Sequence, residues 1–285
     1  MDNTHTNTSR TTLVIGATGK TGGRVVARLR DRGAAVKPAS RSSETYFDWN
    51  DPDSWSEALA GVDATYITYF PDLALPGAAE TVRAFVDVAL DAGVRRHVLL
   101  AGRGEAGAER AERLLIESGA DWTLLRCGFF AQNFSEIFAD PIRAGIMAMP
   151  DAAGPDPFLD IDDVADVAVA ALTDDSHIGQ LHELTGPRVV TLEEVADILG
   201  DAIGRPVRYL PMPHDAYSAE LVGAGLPADV AGHLTDVIAE ALDGRNASVT
   251  DGVERVLGRP ARDFADYARD AAAAGAWNLP AAASA

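Results

Sequence analysis

The sequence predicts an α/β fold in which a doubly wound parallel sheet is followed by a smaller, mainly helical C-terminal lobe. Three observations support this prediction. Short β-rich runs alternate with helical patterns from Thr11 onwards, a glycine-rich turn follows the first strand, and helical patterns dominate after residue 205. Strands separated by helices of this length favour parallel neighbours joined by right-handed crossovers.

The first half of the chain supplies six predicted strands with helices between them. The strand patterns are TLVIG, AVKPASR, ETYFDW, ATYITYF, HVLLAG at 97–102 and DWTLLRCG at 121–128. The helical patterns include KTGGRVVARLRDRG, SWSEALAGV and the stretches 76–92 and 107–118. Six parallel strands are typical of a sheet that binds a dinucleotide.

The alternation weakens in the second half. Residues 129–158 combine aromatic residues and methionines with several Gly and Pro, which predicts a loop-rich region. A helix at 160–173, a strand HELTG and a helix at 191–203 follow, the last with Thr191 and Glu194 as a capping box. The predicted domains are a sheet domain of residues 11–150, its sheet completed by 158–186, and a helical lobe of residues 187–280.

Composition narrows the possible functions. The chain has 285 residues, 47 % of them hydrophobic, and a single cysteine, Cys127, so internal disulfides and cysteine-rich metal sites are excluded and no metal site is predicted. A net charge of −19 repels polyanions, which argues against nucleic acid as a partner. A polar N-terminus and the lack of an apolar run near roughly 18 residues predict a cytoplasmic protein without a membrane anchor.

The glycine-rich turn is the first candidate binding motif. In VIGATGKTGGRVV, three glycines with the spacing G-x-x-G-x-x-G follow a strand and open a helix, as in a Rossmann-type nucleotide site. Such glycines permit a tight turn and a close backbone approach to pyrophosphate, and the helix N-terminus supplies N–H donors. A purely structural turn is the alternative. The predicted pyrophosphate-binding residues are Gly16, Thr18, Gly19, Lys20, Thr21 and Gly22.

The end of the second strand indicates which nucleotide is bound. There Ser40, Arg41 and Ser42 stand where an NAD site would place an acidic residue for the ribose hydroxyls. Arginine and hydroxyl groups suit a 2′-phosphate instead, so Arg41 and Ser42 predict NADP(H). The alternative for Arg41 is an ordinary solvated charge.

A carboxylate at the end of the third strand is a candidate adenine contact. In folds of this type Asp48 would accept a hydrogen bond from the adenine amino group. Its alternative role is to cap the helix that starts near Pro52, although Asp51 suits that role better.

These motifs together resemble a known family. The segments VIGATGKTGGRVV, ASRSS, YFDWNDPDSW, GVRRHVLLAG, LLIESGADWTLLRCGFFAQNF, IDDVAD and HELTGPRVVTLEEVADILG resemble the atypical short-chain dehydrogenase/reductases of the NmrA-like group, over roughly residues 11–210. LLRCGFFAQNF is similar to NADPH-dependent quinone oxidoreductases, and the FDW segment to ergot-alkaloid-type reductases. The resemblance implies a Rossmann fold, NADP(H) as cofactor and a small-molecule substrate.

The resemblance also implies where the nicotinamide and the substrate lie. The nicotinamide is expected across the carboxyl ends of the strands, and the substrate beneath residues 129–158 and the C-terminal lobe. The further cofactor-binding residues implied are Tyr69, Phe70, Ala101, Gly102, Cys127, Gly128 and Phe129. The residues themselves predict the substrate contacts: Arg103 follows the fifth strand, Tyr217 lies in the PMPHDAY stretch, and an aromatic and methionine cluster could line an apolar pocket. The cluster residues are Phe129, Phe130, Met147 and Met149, and ordinary core packing is the alternative for them.

One expected feature is missing. Related reductases carry Tyr-x-x-x-Lys on the helix after the fifth strand, but here that helix reads AGAERAERLLIESG, with neither residue. The chain contains only two lysines, Lys20 and Lys37, and the residues four positions before them are Gly16 and Gly33. The usual tyrosine–lysine pair is therefore excluded.

Other groups must then stabilise the developing alkoxide. The options are backbone N–H groups near Gly102 and Gly128, a water, a hydroxyl of the substrate, or the Arg103 guanidinium. An ion pair of Arg103 with Glu105 or Glu109 is an equally good interpretation of that arginine. The weak catalytic candidates are Arg103, Tyr69, Tyr217 and, beside the last, His214.

We therefore expect an NADPH-dependent ketoreductase acting on an aromatic or polyketide-like secondary metabolite, as in antibiotic biosynthesis. A phenolic hydroxyl beside the ketone would itself supply a hydrogen bond. Quinone reduction is one alternative, because it needs no strong acid. A regulatory protein that senses NADP(H) without turnover is the other. The aspartates at 160–166 resemble a metal site, but at the start of a helix they are better interpreted as capping and dipole-pairing groups.

Overall fold

The computed structural model describes residues 10–279 of the chain, so most of the polar N-terminal segment behind the cytoplasmic prediction lies outside the described residues. The described chain forms two compact units, each with its own hydrophobic core. The first unit consists of residues 10–126, 162–183 and 255–258, and the second of residues 127–161, 184–254 and 259–279.

Nine strands form two sheets in the described chain. They are β1 Thr12–Ile15, β2 Val36–Ser40, β3 Thr45–Tyr46, β4 Ala64–Ile67, β5 Arg96–Gly102, β6 Asp121–Cys127, β7 Ile146–Pro150, β8 Gln180–Leu184 and β9 Arg208–Met212. The seven-stranded parallel sheet has the order β3-β2-β1-β4-β5-β6-β8. The chain adds β2 and β3 on one side of β1 and then returns to add β4, β5, β6 and β8 on the other side. This arrangement confirms the predicted doubly wound fold.

Eleven helices complete the described fold. They are α1 Lys20–Asp31, α2 Asp53–Leu59, α3 Ala78–Asp91, α4 Ala106–Ile116, α5 Ala139–Arg143, α6 Ile161–Thr173, α7 Leu192–Ile203, α8 His214–Gly223, α9 Ala228–Ala241, α10 Gly252–Leu257 and α11 Phe264–Ala273. The predicted capping box of α7 is confirmed: Thr191 Oγ1 accepts the Glu194 N–H at 3.2 Å, and Glu194 Oε2 accepts the Thr191 N–H at 2.9 Å.

The central strand shows why this sequence forms a two-sided sheet. β1 is buried along its whole length, and Leu13, Val14 and Ile15 are at most 1 % exposed. A continuous apolar run of this kind is typical of a parallel strand covered on both faces. On α1, Val25 and Leu29 are four residues apart and both fully buried, which fixes the face that the helix turns to the core.

An aromatic cluster fills the core beside the third strand. The ring of Phe47 lies 4.9 Å from that of Trp49 and 5.6 Å from that of Phe85, both nearly perpendicular to it.

The capping roles considered for Asp48 and Asp51 are wrong: α2 begins after Pro52 without a side-chain cap. The reason is local, because Asp48 Oδ1 accepts the backbone N–H of its neighbour Asn50 at 3.0 Å instead.

The second unit contains a sheet that the sequence does not predict. β7 pairs in parallel with β9, with Met147 opposite Tyr209. β7 lies within the stretch expected to be loop-rich, and its partner is far away along the chain. A short apolar run that ends in proline carries no local sign of such a distant pairing.

Within residues 10–279, no helix has the length and apolar character needed to cross a membrane.

Two aspartates of α6 are paired with arginine: Arg28 donates to Asp162 at 2.6 Å and to Asp166 at 2.5 Å. Their charge is therefore used within the first unit.

A buried histidine gives the first unit a pH-dependent stability. His97 on β5 is fully buried, and its Nδ1 lies 2.7 Å from Thr65 Oγ1 on β4. Burial lowers the pKa of His97 to about 4, so the folded protein keeps this imidazole neutral. An unfolded histidine titrates near pH ~6.5, so the unfolded chain takes up the proton first as the pH falls. The stability due to the neutral ring is full above that pH and is lost towards pH 4.

His97→Gln is expected to flatten this pH dependence. Between about pH 6.5 and pH 4 the wild-type protein should lose about 3 kcal/mol more unfolding free energy than the variant, because the variant has no proton to take up at this position. Urea unfolding at a series of pH values measures the difference. His233→Gln on α9 is the matched control, since His233 is exposed. An unchanged slope in His97→Gln would contradict the assignment.

Candidate nucleotide-binding site

The glycine turn after β1 is closed so tightly that side chains do not fit. Gly16 has φ +73°, in the left-handed region, and a Cβ there would collide with Thr68 Oγ1. A Cβ on Gly22 would collide with the carbonyl oxygen of Gly16. A Cβ on Gly19 would lie 3.2 Å from the same oxygen. The predicted reasons for glycine, a tight turn and close helix–strand packing, therefore hold at Gly16 and Gly22.

The N-terminus of α1 is suited to an anion. Its N-cap is Gly19, no side chain caps the helix, and its first turn contains no acidic residue. An uncapped helix end directs N–H donors and the positive end of the helix dipole towards the same point. Lys20 is half-buried as the first residue of α1, Thr18 is exposed and Thr21 is buried. The turn fits a pyrophosphate, although the contacts of the individual side chains stay predictions.

Thr68, which was not predicted as a site residue, stabilises the glycine turn by a hydrogen bond. Thr68 Oγ1 donates to the Ile15 carbonyl at 3.1 Å, and Trp49 Nε1 donates to the Thr68 carbonyl at 3.0 Å. Thr68 directly follows β4, the neighbour of β1 in the sheet. A hydroxyl residue at the end of the strand next to the glycine turn was the available sequence signal.

The end of β2 forms an ordered turn that presents Arg41. Ser40 Oγ accepts the Ser42 N–H at 3.2 Å and lies 2.7 Å from Ser43 Oγ. Arg41 and Ser42 are exposed, and the Arg41 guanidinium carbon lies 5.2 Å from the centre of the Phe70 ring. This is a cation–π contact.

Lys37, the second lysine of the chain, is held by hydrogen bonds within the first unit. Lys37 Nζ donates to the carbonyls of Glu57 and Ala60 at 2.9 and 3.2 Å, and thereby binds the C-terminal end of α2. The prediction that Lys37 is not available as a proton-relay lysine is consistent with these contacts.

Tyr69 and Asp48 are both placed beside Trp49, the first by ring packing and the second along the chain. The Tyr69 ring is half-buried and packs 5.1 Å from the Trp49 ring. Asp48 is half-buried beside Trp49 in the chain. The expected contacts of Tyr69 and Phe70 with nicotinamide, and of Asp48 with adenine, stay predictions.

Helix α4 contains neither tyrosine nor lysine, and its buried carboxylate is occupied by an arginine. Its buried residues are Ala108, Ala111, Glu112 and Leu115. The one carboxylate among them is used, because Arg126 on β6 donates from Nε to Glu112 Oε1 at 3.0 Å and from Nη1 to Glu183 at 3.1 Å. These carboxylates raise the pKa of Arg126 above its ordinary value. Glu112 is therefore held by Arg126.

The carboxyl end of β5 is crowded by an acidic side chain. Ala101 is buried and Gly102 is half-buried, and a Cβ on Gly102 would collide with the carboxylate of Glu105. Arg103, which lies between Gly102 and Glu105 in the chain, is half-buried. Gly102 thus lets the Glu105 side chain lie against the backbone at this strand end.

The remaining predicted residues lie in the second unit. Gly128 donates its N–H to the Leu184 carbonyl at 2.9 Å, and the Phe129 ring stacks on Phe138 with centroids 6.4 Å apart. The predicted substrate residues Met147 and Met149 are fully buried in the core of this unit. The other residues in this group are Cys127 and Tyr217, which are buried, and Phe130, which is half-buried.

Two candidate proton donors in the second unit have shifted pKa values. Burial raises the pKa of Tyr217 to about 12, which makes this hydroxyl a weaker acid. The exposed His214 lies with Nε2 2.7 Å from Asp236 Oδ1, and this carboxylate raises the pKa of the imidazole. Neither observation assigns a catalytic role.

A Rossmann-type sheet with a glycine cradle and an uncapped helix defines a nucleotide-binding protein. A sequence profile described as NAD(P)H-binding matches residues 16–175, and the profile of the NmrA-like family matches residues 109–265. The chain belongs to the NmrA-like family and carries an NAD(P)H-binding domain, as its motifs predicted.

Similar proteins align over nearly the whole chain. NAD(P)H azoreductase of Xenophilus azovorans is 34 % identical over 92 % of this chain and 98 % of its own. Agroclavine dehydrogenase of Claviceps fusiformis is 31 % identical over 91 % and 96 %. A (4-alkanoyl-5-oxo-2,5-dihydrofuran-3-yl)methyl phosphate reductase of Streptomyces griseus is 32 % identical over 92 % and 98 %. The similarity to these enzymes and the NAD(P)H-binding domain together indicate that the chain is an oxidoreductase.

Solved structures share the fold. An NADPH-dependent quinone oxidoreductase of Escherichia coli, complexed with NADPH, matches with a TM-score of 0.79 at 22 % identity, over 91 % of this chain and 99 % of its own. At this identity the match is evidence for the fold alone.

Gly22→Ala is expected to weaken NADPH binding by at least about tenfold, or about 1.4 kcal/mol. The added Cβ would collide with the Gly16 carbonyl and push α1 away from the turn. Isothermal titration calorimetry measures the affinity, and circular dichroism reports whether the variant is folded. Gly223→Ala on α8 is the control, because its Cβ would meet open space. A folded Gly22→Ala protein with wild-type affinity would contradict the cradle.

Proposed function

We propose that the protein is an NADPH-dependent reductase that transfers hydride to a ketone of an aromatic or polyketide-like metabolite without a tyrosine–lysine pair. The observation that carries the proposal is the glycine cradle at Gly16 and Gly22, together with a helix α4 that contains neither tyrosine nor lysine. Bound NADPH supplies a hydride from nicotinamide C4. The nucleotide-binding unit and the oxidoreductase relatives support this activity.

The residues around the cradle favour NADPH over NADH. The turn at Gly16 and the start of α1 would bind the pyrophosphate through backbone N–H groups. Arg41 and Ser42 would bind the 2′-phosphate, since the guanidinium makes no ion pair within the described residues and remains open to an anion. In a chain of net charge −19, such an arginine is a specific place for a phosphate.

The lack of an acid is compatible with catalysis. General acid catalysis typically contributes about 10²–10⁴ in rate, whereas fixed geometry reaches effective molarities of about 10⁵ M or more. A ketone beside a phenolic hydroxyl brings its own hydrogen-bond donor to the developing alkoxide. The Arg103 guanidinium would add electrostatic stabilisation of the alkoxide.

The acceptor is the open part of the proposal. The relatives are named for an azo compound, a clavine and an alkanoyl furanone phosphate, so their acceptors differ widely in chemistry. A quinone is the second candidate, because its reduction needs no strong acid.

Turnover with deuterated cofactor tests the activity. NADPH carrying deuterium at C4 is incubated with a hydroxyaryl ketone, a quinone or no acceptor, and cofactor oxidation and product mass are followed. Deuterium at the carbinol carbon supports ketone reduction, and oxidation with the quinone alone supports the second candidate. Tight binding of NADPH without oxidation by any acceptor would contradict both and favour a sensing protein.

Arg41→Ala is expected to reduce NADPH affinity by about tenfold or more and to leave NADH affinity within about twofold, because only NADPH carries the 2′-phosphate. Calorimetric titration with each nucleotide measures the ratio. The control is Arg30→Ala, an exposed arginine on the far part of α1. Equal losses for the two nucleotides would rule out a 2′-phosphate role.

Tyr69→Phe, Tyr217→Phe and His214→Ala are each expected to keep kcat within about tenfold of wild type, because the substrate supplies the hydrogen bond to its own alkoxide. Steady-state turnover with the best acceptor measures the effect. A loss of some thousandfold in any one variant, of the size expected for a general acid, would refute the acid-free mechanism.

A further inference from the structure

Phe70 stands out among the residues around the glycine turn. Its ring is 64 % exposed, so it contributes little to the core. Its contact is with Arg41, whose guanidinium carbon lies 5.2 Å from the ring centre. The two residues come from different strand ends, Arg41 after β2 and Phe70 after β4.

The backbone on either side of Phe70 is fixed. The preceding Tyr69 packs on Trp49, and Thr68 is bonded to the glycine turn through Ile15. On the other side, Asp72 Oδ1 accepts the Ala74 N–H at 2.8 Å. The exposed ring therefore projects from an ordered segment, and its position relative to the glycine turn is set by the sheet.

The Arg41 side chain has the chemistry of an anion-binding group. It forms no hydrogen bond or ion pair with the residues that the structure describes, whereas Arg28 and Arg126, for example, each bind two carboxylates. A contact with an aromatic ring leaves the charge of a guanidinium without a carboxylate partner, so the group can still bind a phosphate. An exposed arginine without such a contact must lose more rotamer freedom when it binds.

We propose that Phe70 is a specificity-determining residue: its ring holds the Arg41 guanidinium where the 2′-phosphate of the nucleotide binds. This inference rests on the proposed use of NADPH and adds a positioning residue to it. Phe70 itself acts on the nucleotide through Arg41, so its effect should depend on both Arg41 and the 2′-phosphate.

The test compares NADPH and NADH binding by calorimetry in Phe70→Ala, Phe70→Leu and Phe70→Tyr. An exposed cation–π contact corresponds to about two- to fivefold in affinity. Phe70→Ala and Phe70→Leu should therefore weaken NADPH by about that factor and leave NADH unchanged, whereas Phe70→Tyr keeps the aromatic face and should bind both as wild type. Ile116→Ala on α4, another exposed apolar residue of the first unit, is the control.

A double variant separates positioning from other roles. In the Arg41→Ala background, Phe70→Ala should have no further effect on NADPH, because the guanidinium is gone. Equal losses for NADPH and NADH, as expected if the ring contacts the nicotinamide or another part that both nucleotides share, would overturn the inference. So would wild-type binding by Phe70→Ala, or an additive double variant. If Arg41→Ala alone binds NADPH as wild type does, the proposed NADPH preference fails as well, so the two failures are distinguishable.

Discussion

The close approach of helix α1 to the turn before it is the constraint on which the nucleotide site depends. The Gly16 carbonyl occupies the space that a side chain at Gly22 would need, so the helix begins directly against the end of β1. Thr68 and Trp49 fix the same turn from the neighbouring strand end. Backbone N–H groups at the helix start are thereby held in place before a nucleotide arrives, which lowers the ordering cost of binding.

Charge distribution underlies the nucleotide preference that we propose. The chain carries 43 acidic and 24 basic residues, and many of its arginines are engaged by carboxylates. Arg41 is engaged by an aromatic ring instead, at the strand end where nucleotide preference is decided. Glu112, the carboxylate on the inward face of α4, is bound by Arg126. The buried carboxylate of α4 is thus occupied, whereas the Arg41 guanidinium has no carboxylate partner within residues 10–279.

Much of the fold could be predicted from the sequence, because its signals are local. Alternating apolar runs and helical patterns identify the strands of the large sheet, and Thr191 with Glu194 identifies the start of α7. The glycine spacing likewise predicts the turn at Gly16, where the structure shows a positive φ.

The features that were missed all depend on residues distant in the sequence. The pairing of β7 with β9 joins two short runs, and neither run has a pattern that specifies its partner. The contact of Arg41 with Phe70 and the bond from Thr68 to Ile15 depend on which strands are neighbours. Two predicted pocket residues, Met147 and Met149, are fully buried in the second core, and an apolar side chain in a sequence does not distinguish core from pocket.

The decisive experiment is a crystal structure of the protein with NADPH bound. Pyrophosphate oxygens should lie within hydrogen-bond distance of backbone N–H groups between Gly16 and Gly22, and the 2′-phosphate should contact the Arg41 guanidinium. A nucleotide bound away from the glycine turn, or a 2′-phosphate without contact to Arg41, would contradict this prediction.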